Sequence, residues 1–299
     1  MTNVPSSDDF FEAGRETMNF AWSICLGPAV DLQNSGYDSY DPEDLAGYWQ
    51  SERRQRIVAL TLIQLASELY LKAKIAEVSP YLLLADPPGK WKRSSKGVAA
   101  DFSELRTIDA QDLLGAFSAA SGDSLSDEFQ TRFESLRKQR NMGIHSTGQT
   151  LTPTTAEVVE SLLFVQKEIF PLEPWVKTRR RFLDSDRWSH LGGNEWTTNG
   201  LAAEVDATIE ILKPAQSKKY FKVTKRDRKY MCPECYMAAN RDSDFEVKLA
   251  VLKSGDRGTK WLYCPVCAEE LELEVARIPC EDCGDSLSYT DYGCLTCRC

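Results

Sequence analysis

The sequence predicts an all-α helical bundle followed by small β-rich modules built around cysteines, and three observations carry that prediction. Residues 45–75 include the strongest helical run of the chain, Arg56-Ile-Val-Ala-Leu-Thr-Leu-Ile-Gln-Leu-Ala-Ser-Glu-Leu-Tyr-Leu-Lys-Ala-Lys-Ile, apolar on most sides as a central helix must be. Up to residue 170 no segment alternates convincingly as a strand does. Cys25 stands alone, whereas the other nine cysteines fall between 232 and 299.

Composition sets the outer bounds. At 299 residues the chain is long enough for one large core or two domains, and a formal charge of -9 with pI near 5.0 argues against a surface coated in nucleic acid. A polyanion partner has to meet a local patch. No run of 18 apolar residues is present, and Met1-Thr-Asn-Val-Pro-Ser-Ser-Asp-Asp lacks the basic and apolar regions of a signal peptide. A cytoplasmic protein with no membrane partner is therefore expected. In such a reducing compartment, ten cysteines are better explained by metal than by disulfides.

Residues 1–44 form an acidic extension in which Ser7, Asp8 and Asp9 are placed to cap a helix carrying Phe10, Phe11, Met18, Phe20, Trp22, Cys25 and Leu26, with Gly27-Pro28 as its stop and a looser stretch to about Asp44. Cys25 reads as a buried core thiol. Residues 45–175 form a helical domain. In its central helix Glu68 and Lys72 stand four apart, either a solvated salt pair or a polar pair facing the histidine described below. Pro80, Pro87-Pro88-Gly89 and Lys90-Trp-Lys-Arg-Ser-Ser-Lys mark a basic loop. A helix near 109–120 follows, then one opened by Ser126-Asp-Glu-Phe that bears Phe129, Phe133 and Leu136 as a core stripe, with Arg132, Arg137, Lys138 and the stretch 140–145 on its outward face. Thr154 to Phe170 is another amphipathic helix, with Glu157 placed for a capping box and Pro171 as its stop. Residues 126–170 are thus expected to form a helical hairpin.

The connecting region of that hairpin holds Arg140, Asn141 and His145, one of two histidines. Histidine moves protons near neutral pH and arginine holds a developing oxyanion on phosphorus, so the pair supplies the two groups that metal-free RNA cleavage needs. On a straight helix Arg140 and His145 stand about 140° apart, and Asn141 and His145 about 40° apart. Arg140 and His145 therefore need a helix end or a neighbouring chain to meet, and Gly143 with Ser146-Thr-Gly148 is suited to end the helix there.

Residues 176–229 read as a helical connector and basic linker. They hold Lys177-Thr-Arg-Arg-Arg181, a helix over 201–212, and a run from Lys213 to Lys229 with eight basic residues against Asp227. That run is either a grip for a nucleic-acid backbone or a solvated linker. Trp175, Trp188 and Trp196 read as packing or interface groups, and His190 as structural or incidental.

Cys232-Pro-Glu-Cys235 and Cys264-Pro-Val-Cys267 are two CxxC knuckles around a hairpin, in which Phe245 to Leu252 alternate, Lys253-Ser-Gly-Asp-Arg-Gly turns and Trp261-Leu-Tyr leads back. Four thiolates close a tetrahedral site and leave no position for a reacting water, which predicts structural zinc in a module over 230–271 that resembles a zinc ribbon. Cys280, Cys283, Cys294 and Cys297 make a second quartet in 272–299, with Cys299 an alternative to Cys297. So short a tail builds no core without metal, so two structural Zn2+ per chain are expected. Whether the ribbons bind RNA, DNA or protein, the spacing leaves open.

The segment of about 45–175, with its apolar Glu68-x-x-x-Lys72 helix, its hairpin and Arg140-Asn141-x-x-x-His145, resembles a HEPN domain. The resemblance covers somewhat under half of the chain and rests on one short motif in a fitting helical context. It implies a helical bundle and a metal-independent endoribonuclease that cleaves RNA through attack of the ribose 2′-hydroxyl, as in toxins, phage-defence proteins and type VI CRISPR effectors. By position, His145 is then the acid or base, Arg140 holds the phosphate and Asn141 orients them. HEPN members usually join two copies of the motif across a dimer, and this sequence has one, so a homodimer is implied. The family also has non-catalytic members, and the alternative expectation is a module that binds nucleic acid or a protein partner without cleaving.

Overall fold

The structure is a computed structural model that describes all residues except 36–39, 92–98, 123, 146–150, 186–188, 192–193, 240–247, 255–259, 274–279, 284–287, 290–292 and 298–299. Most of the basic loop after Lys90, the Ser146-Thr-Gly148 turn, Trp188, the tip of the cysteine-flanked hairpin and Cys299 lie outside the described residues. Helices dominate, as the sequence predicts, and among the described residues every named strand follows residue 228. No helix among the described residues is long and apolar enough to cross a membrane. The chain forms two compact units, one of Met1–Cys25 and Tyr40–Ile169, the other of Leu26–Ser39 and Phe170–Cys299.

Helix α1 (Ser7–Asn34) opens on Ser6, with Asp9, one of the residues expected to cap it, completing the cap. The Asp9 carboxylate accepts from Ser6 N at 2.7 Å, and Ser6 Oγ accepts from Asp9 N at 3.2 Å. The helix does not stop at Gly27-Pro28 but carries Pro28 inside it. A proline there removes one N–H and crowds the carbonyl four residues back, a cost of about 3 kcal/mol. Burial of Trp22, Cys25, Leu26 and Ala29 on either side offsets it.

In the first unit α3 (Arg53–Val78) is the central helix. It packs against α4 (Ala110–Ser121), α5 (Asp127–His145) and α6 (Thr155–Ile169). Ala59, Ala66 and Ala73, spaced by seven, are fully buried and let neighbouring helices approach closely. The sequence suggests one helix from residue 45, but α2 (Pro42–Ser51) precedes α3 as a separate element. Its last carbonyls are taken by side chains, Tyr48 O by Ser51 Oγ at 2.7 Å and Trp49 O by Arg56 at 2.8 Å, which ends it. Helix α4 stops at Gly122, whose φ of 72° makes a left-handed cap. The predicted capping box of α6 is present, with Thr154 N donating to Glu157 at 2.8 Å and Glu157 N to Thr154 Oγ1 at 3.2 Å. Helices α5 and α6 meet through Phe129, Phe133 and Phe164 and through the Arg132–Glu160 ion pair.

In the second unit α7 (Trp175–Asp184) packs on α8 (Asn194–Ile211), joined by buried Arg179, which donates to Glu204 at 2.9 and 2.6 Å. The basic run is folded: α9 (Pro214–Phe221) buries Ser217 and Phe221, and Lys218, Lys222, Lys225 and Lys229 each meet a carboxylate of the same unit. Strands β1 (Lys229–Tyr230), β2 (Ala250–Ser254), β3 (Lys260–Tyr263) and β4 (Glu270–Leu273) form one antiparallel sheet in that order. The predicted hairpin is β2–β3, with Leu252 opposite Leu262. Helix α10 (Pro233–Ala238) lies between β1 and β2, and β5 (Ser288–Tyr289) pairs with β6 (Gly293–Cys294).

Candidate metal centres and the end of helix α5

Eight cysteines come together as two separate groups, Cys232, Cys235, Cys264 and Cys267, then Cys280, Cys283, Cys294 and Cys297, each with its sulfurs within 4.8 Å of one another. An ion bonded to four sulfurs at about 2.3 Å requires tetrahedron edges of about 3.8 Å. The observed separations are 3.8 Å for Cys232–Cys267, 3.6 Å for Cys235–Cys264, 3.4 Å for Cys280–Cys297 and 3.7 Å for Cys283–Cys294. Both groups therefore fit a tetrahedral metal ion.

Local backbone geometry makes the first group. Pro233 starts α10 just after Cys232, and Tyr236 N bonds to Cys232 O at 2.9 Å, which brings Cys235 round beside Cys232. Ala268, at φ 58°, turns the chain after Cys267 so that Cys264 N reaches Glu269 O at 3.1 Å. Without a cation the four thiols cannot ionise together. Hydrogen bonding, led by Cys232, pulls Cys267 well below the ordinary thiol range, while hydrogen bonds led by Cys232 push Cys235 and Cys264 far above it. A bound cation is what makes four such crowded thiolates compatible.

Beside this centre runs a cleft of about 630 Å³, lined by Val176, Lys177 and Arg180 of α7 and by Cys235, Val266 and Cys267. Four thiolates around a divalent ion leave a net charge of about -2, and the cleft is also lined by Arg181 and by the acidic residues Glu173, Glu234 and Glu269. Lys177 also pairs with Glu269 at 2.9 Å, and Arg180 donates to Thr198 Oγ1 at 3.2 Å. The second group is tied to the first sheet by Met231 N, which donates to Leu295 O at 2.8 Å, and by Lys248 Nζ, which donates to Thr296 O at 2.5 Å. Backbone N–H groups of Cys283 and Asp282 hold the Cys280 thiol below its ordinary range.

Arg140, Asn141 and His145 lie on the last turns of one continuous helix, α5, which ends at His145. The helix starts where Ser126 Oγ accepts from Phe129 N at 3.1 Å. Phe129, Phe133 and Leu136 are buried, and continuing the same spacing reaches Arg140 and then Gly143. Arg140 is thus half-buried on the stripe that faces α3 rather than on the outward face the sequence suggests, because the spacing of the buried residues carries through to it, and Asn141 is half-buried off it. At Gly143 the helices touch closely, since a Cβ there would stand 2.7 Å from Ile57 Cγ2. The side chain of His145 lies outside the described residues. Its position on the helix stands about 140° from Arg140, so α5 by itself turns the two residues apart.

Sequence reasoning missed the groups of α3 at this end. Arg53 Nε donates to Leu151 O at 3.0 Å, and Arg56 Nε to Pro153 O at 2.7 Å, so two arginines hold the chain shortly after it leaves α5. The Arg53-Arg-Gln-Arg56 run was the available signal. Glu68 takes a hydrogen bond from Gln64 at 3.3 Å and lies in the field of Arg137, whose guanidinium is raised by Glu134 first and by Glu68 after it. Among the described residues no ion pair joins Glu68 to Lys72. His190 sits exposed in the turn Ser189–Leu191. Compared with protein-family models, with curated proteins and with solved structures, the chain matches none.

Proposed function

We propose that the protein is a HEPN-type, metal-independent endoribonuclease that works as a homodimer, with two zinc ribbons bringing it to RNA or to a protein partner, in phage defence or toxin-type growth control. The observation that carries this reading is the placement of Arg140, Asn141 and His145 on the last turns of one helix packed on the central α3. In the proposed reaction His145 takes the proton of the ribose 2′-hydroxyl or returns one to the leaving oxygen, and Arg140 offsets the charge that builds on phosphorus. The two four-cysteine groups have no open coordination position, so the ribbons hold fold and take no part in the cleavage. Zinc is the ion assigned to both, since four thiolates in tetrahedral array are its usual structural site.

The test is cleavage of total RNA by purified protein in the presence of EDTA. Wild type is expected to leave 2′,3′-cyclic phosphate ends and His145→Ala to leave RNA intact. Because α5 turns Arg140 and position 145 apart, a dimer that pairs one chain's arginine with the other's histidine predicts complementation. An equal mixture of Arg140→Ala and His145→Ala chains then recovers about a quarter of wild-type activity, one intact site in half of the dimers. Equal cleavage by wild type and His145→Ala, or none by either, overturns the reading. The cleft beside the first centre supports a second one, a non-catalytic module that binds nucleic acid or protein, in which His145→Ala leaves binding unchanged and Cys232→Ser abolishes it.

A further inference from the structure

The two metal centres differ in how solvent reaches them. Cys232, Cys235 and Cys264 are at most 1% exposed, and Cys267 is the partly open member of that quartet. In the second quartet Cys283 is exposed, Cys280 and Cys297 are partly open, and Cys294 is buried. The frames differ as well. The four-stranded sheet supports the first centre, whereas the two residue pairs of β5–β6 support the second. Oxidation of a thiolate follows its exposure, so the same reagent meets two very unequal targets in one chain.

We propose that the second centre is a peroxide-sensitive thiol site at which Cys283 is attacked first, while the first centre keeps its metal. The proposal rests on the metal reading of both quartets and is independent of any ribonuclease activity. The Cys283 thiolate attacks one oxygen of hydrogen peroxide, an S–O bond forms, the O–O bond breaks and hydroxide leaves, giving a sulfenic acid. Cys294 Sγ, 3.7 Å away, then attacks the sulfenic sulfur, forms the S–S bond and expels a second hydroxide. Two thiolates have lost two electrons, and the peroxide has taken them up. The two remaining thiolates no longer close a tetrahedral site, and metal binding at this quartet is lost. The hydrogen bonds from Met231 N to Leu295 O and from Lys248 to Thr296 O lose their preformed turn, so the oxidised tail separates from the sheet at the residue next to Cys232.

The experiment uses the full chain loaded with zinc and titrated with hydrogen peroxide. A chromogenic zinc chelator follows release, and mass spectrometry of alkylated peptides follows each cysteine. One of the two ions is expected to leave first, with alkylation lost at Cys283 and Cys294 while Cys232, Cys235, Cys264 and Cys267 stay labelled. Dithiothreitol with added zinc restores the starting state. Cys283→His keeps a zinc ligand and removes the attacked sulfur. Measured against its own release to EDTA, it is expected to slow peroxide-driven release on the order of tenfold. Oxidation of the first quartet before or together with the second, loss of both ions in one phase, or no release from wild type overturns the proposal. So does Cys283→His responding to peroxide as wild type does. The order of labelling in wild type decides the matter even where the histidine variant binds zinc poorly.

Discussion

The crossing of α3 and α5 at Gly143 makes a prediction whose sign depends on a single methyl group. A Cβ on residue 143 stands 2.7 Å from Ile57 Cγ2. An isoleucine within a helix has essentially one χ1 rotamer, so that methyl cannot swing aside and the two helices have to part. Overpacking of this kind costs about 1–3 kcal/mol. Against it stands removal of the glycine penalty within a helix, at most about 1 kcal/mol and less so close to the helix end. Gly143→Ala is therefore expected to destabilise the first unit by about 1 kcal/mol. In an Ile57→Ala background the obstacle is gone, and the same substitution is expected to stabilise by up to about 1 kcal/mol. Urea denaturation of the four proteins of this cycle, followed by far-ultraviolet circular dichroism with metal bound, measures both values. If Gly143→Ala stabilises the otherwise wild-type chain, or costs the same in both backgrounds, the close approach is refuted.

Two further outcomes test the buried polar groups. Burial pushes the Cys25 thiol up to about 12 from an ordinary 9.0, with Arg56 opposing it. Because the folded value is the higher one, the stability it contributes is complete below pH 9 and is lost as pH rises toward 12, by at most about 1.4 kcal/mol per pH unit. The stability difference between wild type and Cys25→Ala should accordingly shrink over that range in urea titrations at stepped pH, and a difference that stays constant contradicts the burial. Arg179 is 3% exposed and bonds to Glu204 through two nitrogens. Arg179→Ala, which strands that carboxylate, is expected to cost about 3 kcal/mol, and Arg179→Met with Glu204→Leu less than the single change. A double variant worse than the single one would show that the pair itself is what stabilises.

What the sequence made legible was local. The capping box of Thr154 and Glu157, the stripe of Phe129, Phe133 and Leu136, and the CxxC knuckles of the two cysteine quartets are each written within a few residues, where local backbone geometry decides the outcome. The sequence could not weigh one part of the chain against another. Pro28 reads as a stop because its cost is local, while the burial of Trp22 and Leu26 that offsets it comes from the rest of the fold. Lys222 and Lys229 read as a free basic run because their partners, Glu270 and Asp206, lie 48 and 23 residues away. Arg53 and Arg56 show the same limit, since the carbonyls they hold are almost a hundred residues further on.

Those two arginines bear on how the proposed site is built. A group that transfers protons must be held to a fraction of an ångström, and a helix end, which frays, is poor support unless something else fixes it. Here the end of α5 is fixed twice by α3. Ile57 against Gly143 sets the distance between the helices, and Arg53 and Arg56, in the first turn of α3, hold the carbonyls of Leu151 and Pro153 beyond the helix. Arg140, on the continuation of the buried stripe, is half-buried at the same crossing, which in the proposed site would leave its side chain less rotamer freedom to lose. The chain thus half-shelters Arg140, turns position 145 elsewhere on the same helix, and anchors the chain that follows. In the proposed reading, that arrangement supports half of a phosphate site and leaves the other half to a second copy.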